Sequence, residues 1–327
     1  MRSLIYSIWY HGHPLGWVLR PLELLYCAVI TIRAFGYRCG WFNSTRLSVP
    51  VIIVGNITVG GSGKTPLVSW IAQFLIAQGW KPGIISRGYG GNTRNLPRIV
   101  ANNDDPYQVG DEPLLLRRQI PAPVAIGKLR ASAGQLLIDK CGCNCLIADD
   151  GLQHYALRRD VEIVVTDRMR GLGNQHCLPA GPLREPQRRL NQIALRVAHG
   201  KPEIHEHLMQ LIPGDAFLLA DENITRPLDS FRATPIHAVA GIGDPMRFFL
   251  MLRAVGLNII PHPFPDHYTF RPTDLIFNDT FPVLMTEKDA VKCTSWNKTN
   301  NQWCVPVKVK IDPEFQIRLG KLLEKFA

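Results

Sequence analysis

The best apolar run near the N-terminus of this 327-residue chain, residues 24–32, is about half of the roughly 20 residues a spanning helix needs. A secretory signal pattern is also missing, which points to a reducing setting with free thiols. The eight cysteines have no zinc-knuckle spacing. Cys141, Cys143 and Cys145 alternate with Gly142 and Asn144 just before an apolar run, and no Cys/His pair follows at a usual distance. They are expected as small residues at a strand start rather than as metal ligands. Repeats and low-complexity tracts are absent, which argues against a solenoid or a disordered tail. Lysine and arginine form no polybasic block, so the positive charge is suited to discrete phosphate contacts. Acid is scarcest at the start, where residues 1–46 hold five arginines and a single acid, Glu23.

Hydrophobic residues make up 46% of the chain, enough for a substantial core, and the length predicts two domains or one large one. A net charge of +10 calls for an acidic partner: nucleic acid, a nucleotide or an anionic membrane. In residues 1–46, Trp9, Tyr10, Trp17, Tyr26, Trp41 and Phe42 accompany the arginines. Aromatic and basic residues flanking a short apolar run suit a helix lying in a membrane interface, and equally a helical hairpin packed on its own domain.

The densest signal is VIIVGNITVGGSGKT at 51–65. An apolar β-branched run ends in a glycine-rich turn followed by Lys-Thr, the sequence form of a phosphate-binding loop. Residues 58–65 (Thr58, Val59, Gly60, Gly61, Ser62, Gly63, Lys64, Thr65) would cradle phosphates with backbone N–H groups. Lys64 supplies charge to the β/γ-phosphates, and Thr65 offers a hydroxyl to Mg²⁺. A helix beginning near Lys64 turns its positive dipole end to the same place. One position departs from G-x-x-x-x-G-K-[ST]: Thr58 stands where the first glycine belongs.

Downstream, strand patterns at 84–86, 124–126, 145–148 and 161–166 alternate with helix patterns at 64–78, 111–118 and 131–139. This alternation predicts βαβ units around a parallel sheet buried on both faces. An Arg-, Gly- and Pro-rich loop at 168–191 follows a strand's carboxyl end, where α/β proteins bind ligands. Polar residues and proline near 221–235 suggest a linker. A second α/β pattern follows, with strands at 236–240, 283–285 and 305–311, a helix at 246–255 and a closing helix at 313–326. The expected fold class is α/β: a P-loop NTPase-like parallel sheet flanked by helices (47–224), a second smaller α/β domain (225–327) and an N-terminal interfacial helical segment (1–46).

A phosphate loop of this kind needs a second acid for the metal at a neighbouring strand end. Asp149 and Asp150 end an apolar run and meet that need, although Asp-Asp-Gly is also a common strand-ending turn. Phosphoryl transfer to a hydroxyl also needs a base or a positioned carboxylate. Asp111, in VGDEP, stands where a loop meets a helix start, though acids there also serve the helix dipole. Arg87, Lys128, Arg130 and Arg184 fall at strand ends or on the long loop, suited to phosphate contact. His267, in FPDHYTF, could orient a carboxylate across a cleft. These residues leave three readings open: a lipid kinase, a kinase or ligase acting on a soluble small molecule, and a membrane-bound nucleotide switch.

GNITVGGSGKTP at 55–66, SRGYGG at 86–91, VGDEP at 109–113, DDGLQH at 149–154, LPAGPLREP at 178–186, AGIGDP at 240–245, FPDHYTF at 264–270 and TEKDAVK at 286–292 occur in one order. With the aromatic-basic N-terminus, they make the chain resemble the tetraacyldisaccharide 4'-kinase (lipid A 4'-kinase) family nearly end to end. That family's loop has the same irregular form at the position of Thr58. The resemblance implies transfer of the ATP γ-phosphate to the 4'-hydroxyl of a tetra-acylated glucosamine disaccharide 1-phosphate, with ATP and Mg²⁺ as cofactors. It implies Lys64 and Thr65 at the phosphates and Mg²⁺, Asp149 and Asp150 in the metal and catalytic cluster, Asp111 as base and His267 paired with it. Arg87, Tyr89, Arg130, His154 and Arg184 fall at motif positions expected to face the substrate. It further implies a monotopic contact with the inner leaflet at the cytoplasmic face of the inner membrane, a glycolipid substrate, no nucleic acid and no obligate protein partner.

Overall fold

The computed structural model describes residues 2–91, 97–293 and 301–326, the side chains of Arg2 and Ser3 excepted. Three helices open the chain: α1 (Arg2–Tyr10), α2 (Leu15–Val18) and α3 (Arg20–Arg38). The alternating region follows as β1 (Val51–Gly55), α4 (Lys64–Ala77), β2 (Pro82–Ser86), β3 (Arg98–Ile99), α5 (Pro106–Val109), α6 (Asp111–Gln119), β4 (Val124–Ile126), α7 (Arg130–Cys141), β5 (Cys145–Asp149), β6 (Val161–Asp167), β7 (Leu195–His199) and β8 (His207–Pro213). Then come β9 (Ala216–Leu218), β10 (Thr225–Arg226), β11 (Ile236–Ala240), α8 (Pro245–Ala254), β12 (Ile259–Pro263), β13 (Val283–Thr286), α9 (Glu287–Ala290), β14 (Gln302–Val305), β15 (Val307–Ile311) and α10 (Pro313–Leu323).

The first sheet has the order β15-β8-β7-β6-β1-β5-β2-β4-β3, antiparallel only at its two edges. Its central strands are apolar and wholly buried because helices cover both faces. The pleat sorts β1 by parity. Ile52 and Val54 face a core built with α4 (Leu67, Val68, Ile71) and α10 (Phe315, Leu319), whereas Val51 and Ile53 face a core built with α7 (Ala133, Leu137). With β5 on one side of β1 and β6 on the other, the loop leaving β1 opens where the strand order reverses, the usual place for a ligand.

The second sheet, β10-β9-β14-β13-β11-β12, has a parallel core and packs α8 against one face through Phe248, Phe249 and Leu252. Its membership differs from the division expected at 224/225. The polar stretch near 221–235 is not a linker between the sheets: β9 and β10 on either side of residue 221 already pair within the second sheet. The strand expected at 305–311 is β15 at 307–311, and a further strand, β14, ends just before it at Val305. β14 completes the second sheet, Pro306 interrupts, and β15 pairs antiparallel with β8 of the first. Proline lacks the N–H a continuous ladder needs, so the chain changes sheets there. Among the described residues, no helix is long and apolar enough to cross a membrane.

The C-terminal return is thus part of the first core, and its anchor is Phe315, fully buried against Trp70 with ring centroids 5.8 Å apart. Phe315→Ala is expected to lower unfolding stability by about 3–5 kcal/mol in chemical denaturation. A loss below about 1 kcal/mol would make α10 an appendage rather than core.

Candidate active site

The loop after β1 is held by its own first residue. Asn56 is fully buried; its Nδ2 donates to Gly60 O (3.2 Å) and Thr58 Oγ1 (3.4 Å), and its Oδ1 accepts from Lys64 Nζ (3.2 Å). Thr58 forms an antiparallel bridge with Leu183, and Val59 N donates to Pro182 O at 2.9 Å. Position 58 is therefore an extended residue braced by a neighbouring segment and needs no glycine. Glycine is needed at position 63, the N-cap of α4, where φ is +84°. Ser62 is buried within the loop and its Oγ has no hydrogen-bond partner. An orphaned hydroxyl among convergent N–H groups fits a phosphate.

Asp149 and Asp150, at the end of β5, have different surroundings. Arg130, buried at the start of α7, donates Nη2 to both main-chain carbonyls, Asp149 O at 3.1 Å and Asp150 O at 2.7 Å. The Asp150 carboxylate lies 3.0 Å from Arg184 Nη1 through each oxygen and 3.5 Å from Lys64 Nζ. Burial opposes its charge, but Lys64 and Arg184 outweigh burial and hold its carboxyl below the usual range. Asp149 is almost wholly buried and its Oδ1 has no partner. Burial, with Glu112 and Asp150 nearby, pushes its carboxyl up to about 7. A buried carboxylate oxygen left open beside a phosphate loop suits a divalent cation. His154 is pushed down to about 4 by burial and by Arg130, Arg159, Arg33 and Arg87, so its ring is neutral near pH 7.

The second lobe completes the cleft. Gly110 caps α6 at φ +94°, and a Cβ there would meet Tyr89 O at 2.7 Å, so glycine sets the entry of Asp111. His267 Nδ1 donates to Asp111 Oδ2 at 3.0 Å. Lys288 Nζ stands 3.0 Å from Glu112, 3.4 Å from Asp266 and 3.9 Å from Asp111. Burial favours the neutral acid at Asp111, but the His267 hydrogen bond and the Lys288 charge prevail and lower its value. The same bond raises His267. The exposed Tyr89 ring lies 5.1 Å from the His267 ring. Arg247 of α8 pairs with Asp167 at the end of β6, and Gln119 of α6 donates to Glu287 of α9 at 2.6 Å, fastening the lobes together.

The resulting cleft, about 2220 Å³, is lined by residues 59–65, Arg87, Tyr89, Lys128, Arg130, Asp149, Asp150, His154, Arg184 and His267. Asp111 reaches it through His267, and Thr58 is turned into its bridge. Three residues not singled out from sequence also serve it, Lys288 and Arg33 in its lining and Asn56 buried beneath its loop. Lys288 lies within TEKDAVK just after a strand end, where a lone lysine gives little signal. Asn56 directly follows β1, the one cue that it anchors the loop. Arg33 lines the cleft from α3, which no spacing could reveal.

A parallel sheet whose central strand feeds a Gly-Lys-Thr loop, with paired acids on the adjacent strand and an Asp–His pair across the cleft, defines a P-loop phosphotransferase. The family model for tetraacyldisaccharide-1-P 4'-kinase matches residues 15–324, and the chain belongs to that family. It is similar to a tetraacyldisaccharide 4'-kinase of Nitrosococcus oceani (49% identity, 99% of this chain and 96% of that one). One of Alkalilimnicola ehrlichii is 51% identical over 94% of this chain and 92% of that one. Among solved structures, the apo-form LpxK of Aquifex aeolicus in complex with ATP superposes with a TM-score of 0.79 at 29% identity, covering 95% of this chain and 99% of that one.

The Asp111–His267 pair makes a pH prediction. The raised His267 contributes stability fully below its unfolded value of 6.5, and this is lost as pH rises through the folded value. The lowered Asp111 contributes fully above 3.8, and this is lost as pH falls through its folded value. Both contributions are complete between pH 3.8 and 6.5, the two unfolded values. NMR titration should place His267 above 6.5, and Asp111→Asn should bring it down; an unmoved His267 in that variant would mean the pair is not formed in solution.

Proposed function

We propose that the chain transfers the γ-phosphoryl group of ATP to the 4'-hydroxyl of a tetraacyldisaccharide 1-phosphate, a step of lipid A biosynthesis. The observation that carries this reading is the single cleft in which a phosphate loop and a His-paired carboxylate face each other. Lys64 and the N–H groups of residues 59–65 hold the triphosphate, and the unpartnered Ser62 Oγ fits a phosphate oxygen. Thr65 and the open oxygen of Asp149 would hold Mg²⁺, which with ATP supplies the phosphoryl group and screens its charge. Asp150, neutralised by Arg184 and Lys64, keeps those cations in place. Asp111 accepts the hydroxyl proton, with His267 and Lys288 keeping it ionised and oriented. Arg87, Tyr89, Arg130 and His154 face the sugar headgroup. A soluble acceptor or a pure nucleotide switch is not favoured, since family membership supplies a lipid acceptor and a switch has no use for the Asp–His pair.

The N-terminal segment is the membrane contact in this reading, at the cytoplasmic face of the inner membrane. Along α3, Leu22, Leu25, Val29 and Ile32 fall on one face and all are exposed, with Trp17 and Trp41 at its ends. The opposite face is packed: Tyr26 Oη donates to Arg184 O at 2.8 Å, and Glu23 accepts from Cys177 N at 2.9 Å. The interfacial helix and the packed hairpin are thus two faces of one element.

Asp111→Ala should cut turnover on the order of 10²–10⁴-fold while ATP binding survives. Unchanged single-turnover phosphorylation of the glycolipid by that variant would remove the base assignment. Serine at Leu25 and Val29 together should weaken co-sedimentation with anionic vesicles on the order of tenfold or more. Equal co-sedimentation would leave the exposed face without a membrane role.

A further inference from the structure

The seam between α3 and the 168–186 loop carries a cluster that the phosphotransfer reading does not use. Glu23 and Cys27 are i and i+4 on α3, on the face turned to the body, and Cys177 lies on the loop opposite. One donor atom from each (a Glu23 carboxylate oxygen and the two Sγ) lies within 4.8 Å of the others. Cys177 is 3% exposed, Glu23 8% and Cys27 partly buried, so the group is largely enclosed rather than a solvated surface cluster. All eight cysteines are free thiols.

We propose that Glu23, Cys27 and Cys177 form a binding site for a soft divalent cation of the Zn²⁺ class. Two thiolates and a carboxylate at mutually short distances are the donor set such an ion selects, and it accepts them in a tetrahedron completed by water. The surroundings are those of an outer ligand shell. Arg20 Nε lies 3.0 Å from Glu23 Oε2 without the alignment of a hydrogen bond, and Arg20 Nη1 donates to His176 Nε2 at 2.9 Å. That bond leaves the His176 proton on Nδ1, which lies 3.4 Å from Glu23 Oε1. A dication with two thiolates and one carboxylate carries one net negative charge, and the Arg20 guanidinium beside it offsets that charge. Starting from two thiols, binding breaks two S–H bonds, forms two metal–sulfur bonds and releases two protons to the buffer, with no change of oxidation state.

The position gives the site a role. Tyr26 stands between Glu23 and Cys27 and holds the Arg184 carbonyl, and Arg184 holds Asp150. A bound ion would pin the outward-facing helix to the loop that carries a cleft arginine.

The test is a Co²⁺ titration of the reduced, metal-free full chain, followed optically, with Zn²⁺ as competitor. One equivalent should bind with thiolate-to-metal charge-transfer absorbance and release two protons. Zn²⁺ should displace it and raise the unfolding temperature. C27S/C177S should lose all of these signals, while C39S/C141S, which changes two exposed thiols, should keep them. Absence of charge-transfer absorbance in the unmodified chain would overturn the proposal whether or not C27S/C177S folds. So would its retention in a folded C27S/C177S, or a Cys27–Cys177 disulfide in a chain that takes up no metal once reduced.

Discussion

The contact between Asp111 and His267 is the constraint on which the rest of the cleft depends. Asp111 opens α6 of the first lobe and His267 follows β12 of the second, 156 positions away, so neither lobe alone contains the pair. Their meeting requires the second lobe to sit on the α6 side of the first. Several features enforce this: the return of β15 to β8, the packing of α9 on α6, and the Arg247–Asp167 bridge. A charge pair at about 3–4 Å and an effective dielectric near 20 is worth about 4 kcal/mol before desolvation. Desolvation returns much of that, so the pair contributes orientation more than stability. Lys288 is suited to the same end: one ammonium faces three carboxylates and keeps them from repelling the lobes apart.

The two adjacent aspartates show how one backbone serves opposite electrostatic tasks. Arg130 grips both carbonyls and leaves both carboxylates free to point elsewhere. Asp150, at φ +47°, turns to the two cations and is neutralised by them. Asp149 continues the strand direction and keeps one oxygen without a partner. A buried open acid is expensive in isolation, and its raised value is the mark of that expense. In the proposed reading, that open oxygen is where the divalent cation is received.

Much of this was legible in the chain because central parallel strands are buried on both faces and so appear as continuous apolar runs. β1, β2, β5 and β6 all stand within a few residues of their expected places. Partner identity is not carried by such runs. The stretch from Gln302 to Ile311 shows one β pattern, yet Pro306 splits it between two sheets, and nothing local announces which sheet each half will join. The polar residues after β9 resembled a linker because short antiparallel edge strands are themselves polar: Thr225 and Arg226 are exposed in β10. At the site, the motif residues were legible by type. Asn56 and Lys288 were not, because their importance lies in what folds against them.

The N-terminal helices link the outer surface to this electrostatic centre. Most of a helix's stability in a folded protein comes from tertiary packing, and α3 buries only Glu23 and Gly36. It is held by polar ties along its inner face while its outer leucines, valine and isoleucine remain uncovered. Each such side chain forgoes part of the roughly 1.5–3 kcal/mol that full burial gives, and in the proposed reading a lipid interface supplies it. The inner ties are not spread at random. Tyr26 holds the backbone of Arg184, Arg184 holds Asp150, and Asp150 stands beside Lys64 at the phosphate loop. Arg33, from the same helix, lines the cleft itself. A helix seated in the interface would therefore set the position of one cleft arginine and present another to the cleft. Whatever orders α3 against the body also orders the cleft.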